Sequence, residues 1–133
     1  MPDPLHPGEN HWPLLGTLMM QRSSDDGQTW SKPQTVVNNP LTIQSRTYLA
    51  PNGKLWLAYV QSDPDTYEHR TSLWLTSSQD DGKTWDKPQR LTDGKFLDRE
   101  PDIISRDGKI LVAFSRAGRG INTNIWVAEV TPN

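Results

Sequence analysis

Residues 23–34 read SSDDGQTWSKPQ, and residues 78–89 read SQDDGKTWDKPQ. Nine of the twelve positions are identical at an offset of 55 residues, so the chain is built from a repeating unit. A repeat of this length decides the architecture before any strand or helix is assigned. The same offset aligns Asn52-Gly53-Lys54 with Asp107-Gly108-Lys109, and the apolar run Leu55-Trp56-Leu57-Ala58-Tyr59 with Ile110-Leu111-Val112-Ala113-Phe114. The unit therefore extends well beyond its best-matched stretch.

Within one unit every local signal is strand or turn. Residues 45–50 lead into Pro51-Asn52-Gly53-Lys54, where Asn-Gly tolerates the positive φ angles of a tight hairpin, and then into a strand over 55–60. A polar loop over 61–71 precedes a third strand at 72–76. The Asp-Asp-Gly-Lys turn then leads to a fourth strand near 89–92. The second strand is apolar at nearly every position, which suits a strand covered on both faces. No segment shows a helical period. Four-stranded units that cannot bury their faces alone describe the blades of a β-propeller, an all-β antiparallel fold. The chain divides accordingly into an irregular segment over 1–13, half a blade over 14–37, a full blade over 42–92 and three strands over 97–131.

Composition narrows the function. The 133 residues carry 14 basic and 16 acidic side chains, a formal charge of −2, which gives no overall attraction to nucleic acid or to an anionic membrane. Cysteine is absent, so disulfides and thiolate metal sites are excluded. Residues 1–10 hold two acids, three prolines and no apolar run, which is not a signal peptide, and no stretch reaches membrane-spanning length. Asp63, Asp65 and Glu68 lack the glycine and spacing of a calcium loop, and His6, His11 and His69 show no ligand spacing. No metal or cofactor is expected.

Ser23-x-Asp25-x-Gly27-x-Thr29-Trp30 and Ser78-x-Asp80-x-Gly82-x-Thr84-Trp85 resemble the Asp-box, or BNR repeat, of sialidases and sialidase-like propellers. The resemblance runs from about residue 14 to residue 131. In these hairpins short Asp and Ser side chains bond neighbouring backbone N–H groups, and the glycine takes a left-handed angle. The resemblance implies that the hairpin lies on the outside of the ring and is structural. Trp30, Trp56, Trp74, Trp85 and Trp126, at repeat-related positions, are expected in the core, and Trp12 is left open.

The resemblance also implies a pocket lined by the starts of the innermost strands and by the loops joining strands two and three. Here these are Gln44-Ser45-Arg46, Asp98-Arg99-Glu100, and the loops 61–71 and 116–123. Arginine reads a carboxylate through two parallel charged hydrogen bonds, so Arg46, Arg99 and Arg116 are candidates for ligand binding. Glu100, Asp98, Tyr48 and Tyr67, with Asp63 and Glu68, could supply the carboxylate and tyrosine of a sialidase-like glycosidase. The Arg-Ile-Pro element of the family is replaced by Arg99-Glu100-Pro101. A ring of about six blades needs roughly 330 residues, so one copy does not supply a full catalytic set. The expected function is binding of a glycan or small anionic ligand. The alternatives are a glycoside hydrolase completed by other copies, and an interaction scaffold or remnant of a larger gene. The expected partner is the chain itself, as a homo-oligomer, a trimer before a dimer.

Overall fold

The computed structural model describes residues 16–62, 70–118 and 120–132. Among them there is no helix. The strands are β1 (Gly16–Met20), β2 (Gln34–Leu49), β3 (Leu55–Ser62), β4 (Thr71–Ser78), β5 (Gln89–Arg90), β6 (Leu97–Arg106), β7 (Lys109–Gly118) and β8 (Ile121–Val130). The pairs β1–β2, β3–β4, β4–β5, β6–β7 and β7–β8 are antiparallel, as the repeat predicts. No helix of the described residues is long and apolar enough to cross a membrane.

The chain forms two compact units, Met1–Ile43 and Gln44–Asn133. In the first, β1 pairs with the beginning of β2, with Met19 opposite Thr35 and Met20 opposite Gln34. In the second, residues 44–49 of β2 lie beside β3, followed by β4 and β5, and β6, β7 and β8 form a separate three-stranded sheet. β4 meets β5 with Trp74 opposite Arg90 and Leu75 opposite Gln89. These are the β1–β2 pairs displaced by 55 residues, so the repeat fixes strand register as well as strand order.

The core of the second unit lies between its two sheets. Ala50, Trp56, Ala58, Val60, Leu73 and Leu75 of one face Ile103, Ile110, Val112 and Phe114 of the other. β3 is buried on both faces from Trp56 to Val60, as its unbroken apolar run predicts. β7 instead alternates, with Ile110, Val112 and Phe114 inside and Leu111 and Ala113 half-buried.

Two tryptophans depart from the expected core. Trp30 is 61% exposed and Trp126 is 48% exposed. The Trp30 indole N–H donates to the Gly27 carbonyl at 3.2 Å, so its ring lies over its own hairpin. Trp126 sits on β8, the last strand in its sheet's order. It stands opposite Phe114 as Trp74 stands opposite Tyr59, but β4 has β5 on its outer side. The two hairpin turns also differ. At Ala50–Lys54 only Gly53 has a positive φ, of 85°, whereas both Asp107 and Gly108 do, at 52° and 76°. Asn-Gly therefore forms a turn closed by Gly53 alone, while Asp-Gly forms the two-residue primed turn that matches strand twist.

The Asp-boxes are closed by their own side chains. Asp80 accepts the Thr84 backbone N–H at 2.9 Å and the Thr84 hydroxyl at 2.6 Å, while Ser78 accepts the Gly82 N–H at 2.8 Å. Asp25, Thr29, Ser23 and Gly27 repeat this geometry. The bonds from Thr29 and Thr84 lower the Asp25 and Asp80 carboxyls to about 2. Because the folded-state value is depressed, the stabilisation is present above about pH 4 and is lost as pH falls through about 2. Asp80→Ala should flatten the acid limb of the stability profile, measured by thermal melts between those pH values. Gly82→Val, at φ 86°, should cost on the order of 1–3 kcal/mol. Neither substitution should change ligand affinity beyond what unfolding explains.

Candidate functional site

Residues from the later part of β2 and from β6 come together in one cleft. Gln44, Ser45 and Arg46 of β2 and Glu100, Pro101 and Asp102 of β6 line an open cleft of about 420 Å³. Two cross-strand bonds hold it. The Arg46 Nε–H donates to Asp102 Oδ1 at 3.2 Å, and the Glu100 backbone N–H donates to Gln44 Oε1 at 2.9 Å. Both side chains of the Arg46–Asp102 pair are more than half exposed, so the pair positions more than it stabilises.

The backbone of β6 is irregular here. Its register against β7 shifts between Arg99 and Asp102, and Glu100 adopts φ 58°. A bulge re-aims side chains at a strand's edge, and left-handed backbone on a residue other than glycine costs on the order of 1–3 kcal/mol. On one side of the bulge Ser115 Oγ donates to the Arg99 carbonyl at 3.3 Å. Arg99 lies beside Glu100, with Nε 3.9 Å from Oε1.

The remaining candidates are placed elsewhere in the unit. Asp98 is fully buried, and its two oxygens accept from Arg116 Nε at 2.7 Å and Nη2 at 3.0 Å. The backbone N–H of Asp98 donates to Thr71 Oγ1 at 2.7 Å, and that hydroxyl donates to the Asp98 carbonyl at 2.5 Å. The Arg116 guanidinium lies 4.5 Å from the ring centroids of Phe96 and Trp126 and 5.6 Å from that of Phe114. The hydrogen bonds to Asp98 raise Arg116 above its ordinary value, against desolvation. The geometry makes Arg116 part of a buried clasp. The Tyr48 hydroxyl shares a 2.8 Å hydrogen bond with Ser105 Oγ, and no tyrosine is among the described residues lining the cleft. Tyr67, Asp63, Asp65, Glu68, His69, Trp12, His6 and His11 lie outside the described residues. Among those described, no group of three or more His, Cys, Asp or Glu could hold a metal ion.

Of the residues singled out in the sequence, the structure thus brings Arg46 and Glu100 to one cleft, with Arg99 adjacent. Sequence reasoning placed Gln44 in the lining without giving its amide a role, and did not single out Asp102 as a site group. Asp102 carried a usable signal, since Arg46 aligns with Pro101 across the repeat and an acid directly after it is placed to face Arg46.

Residues 37–129 match the BNR repeat-like domain. The chain belongs to this family. The chain is also similar over part of its length to an exo-alpha-sialidase of Aspergillus fumigatus, at 40% identity over 73 residues. The match covers 48% of this chain and 18% of that protein, so this BNR chain spans a small part of its relative's length. No solved structure matches it.

Proposed function

We propose that this BNR repeat-like chain is a sialidase-like module that binds a glycan in the cleft between residues 44–46 and 100–102, and that it does not cleave glycosides by itself. The observation that carries this reading is the convergence of Arg46, Glu100 and Asp102 with the Gln44 amide in one open cleft. Sugar hydroxyls both donate and accept, and guanidinium, carboxylate and amide groups side by side satisfy both needs. Arg46→Ala should weaken glycan binding at least about tenfold, the value of one charge-assisted hydrogen bond, as followed by NMR titration. Unchanged affinity would remove this cleft from the reading.

A glycoside hydrolase is the second reading, favoured by two carboxylates beside one arginine. The element of a sialidase-type site missing from the described lining is a tyrosine nucleophile. The purified chain should release no fluorophore from a sialic-acid umbelliferyl glycoside. Release abolished by Arg99→Ala or Glu100→Gln would replace the binding reading with the hydrolase.

A further inference from the structure

We infer that the Glu100 bulge is a ligand-reading element that selects an uncharged, hydroxyl-rich sugar over a carboxylated one; this rests on the glycan-binding reading above and deepens it. The first ground is a backbone cost that the glutamate side chain does little to offset within the fold. Glu100 holds φ 58°, where glycine would sit with less strain. Proline follows it, narrowing further the conformations open to the residue before the ring. Yet its side chain is 65% exposed, and its ion pair is a 3.9 Å contact with the neighbouring Arg99. The backbone N–H, not the carboxylate, makes the bond to Gln44 that ties β6 to β2. A glutamate kept in a conformation that favours glycine, with its carboxylate at the rim of a cleft, points to a use for that carboxylate outside the fold.

The second ground is charge. The cleft lining carries one cation, Arg46, and two carboxylates, Glu100 and Asp102. Arg99 alongside brings the local balance only to zero. A ligand carboxylate offers no donor to Glu100 or Asp102 and meets no net positive charge. Sugar hydroxyls donate to both carboxylates and accept from Arg46 and Ser45. The charge of Arg46 is offset by Asp102, at 3.2 Å, so the cleft offers a ligand acid no net attraction.

The test compares lactose with 3′-sialyllactose, and the wild-type chain with Glu100→Gln and Glu100→Gly, by calorimetric or NMR titration at low salt. Lactose should bind, and sialyllactose should bind at least about fivefold more weakly. Glu100→Gln should weaken lactose about tenfold with an unchanged melting temperature. Glu100→Gly should weaken it equally while melting at the same temperature or a few degrees higher, which a purely structural glutamate would not do. Tighter binding of sialyllactose, unchanged lactose affinity in Glu100→Gln, or a melting temperature lowered by several degrees in Glu100→Gly would each overturn this inference and leave the glycan-binding reading standing. Failure of both sugars to bind the wild-type chain would overturn that reading as well.

Discussion

Replacing Arg116 by leucine is expected to cost about 3–5 kcal/mol of folding stability, the usual consequence of stripping the partner from a buried charge. Asp98 is fully buried and Arg116 nearly so, with side-chain exposures of 0% and 13%. Both Asp98 oxygens lose their donors in the variant, and three aromatic rings lose the cation packed against them. The loss is large against a total stability of roughly 5–15 kcal/mol for a domain, and it should appear as a much lower urea midpoint. The double variant Asp98→Val with Arg116→Met should recover much of it, because no uncompensated charge then remains. A loss below about 1 kcal/mol in the single variant is the behaviour of an exposed ion pair, and would contradict the burial described here.

The second large effect is expected in assembly. At micromolar concentration the chain should self-associate, with β8 of one copy pairing against residues 34–37 of the next, and a closed trimer is the favoured product. Ile125, Trp126 and Val127 on β8 are 73%, 48% and 60% exposed, whereas Leu73 and Leu75 on β4 are 0% and 2% exposed. β4 has a strand on its outer side, with the Leu91 N–H donating to the Leu73 carbonyl at 2.8 Å. Residues 34–37 belong to the same strand position one repeat earlier. They are held by β1, a strand of five residues with two register irregularities, while β8 is a ten-residue strand. A longer strand with exposed apolar side chains is the stronger partner for that edge. Sedimentation should give a mass that falls on dilution, and the melting temperature should rise with concentration. Val127→Lys places a charge on the edge and should reduce the mass to that of one chain. A single-chain mass for the wild type, with a melting temperature indifferent to dilution, would defeat this proposal.

What the sequence by itself determined are the features whose causes lie within a few residues. Ser78, Asp80, Gly82 and Thr84 close a hairpin through bonds spanning two to four positions, so the motif alone dictates the turn, and its copy at residues 23–30 folds alike. The same locality, repeated every 55 residues, carries the strand order and the register of the fourth strand. The apolar run at 55–60 likewise announces a strand buried on both faces. The clasp and the cleft depend on partners far apart in the chain. Arg46 meets Asp102 and Gln44 meets Glu100 across 56 residues, and Asp98 meets Thr71 across 27. Only strand pairing decided that Arg116 of β7 stands opposite Asp98 of β6 and clasps it, or that Trp126, on a strand with no neighbour beyond it in the sheet order, lies exposed where its repeat mate Trp74 is half-buried. The left-handed backbone of Glu100 is the clearest case. Nothing in Arg99-Glu100-Pro101 favours it locally, and it exists because bonds from β2 and β7 on both sides of the bulge hold the strand in a shape that its own residues resist.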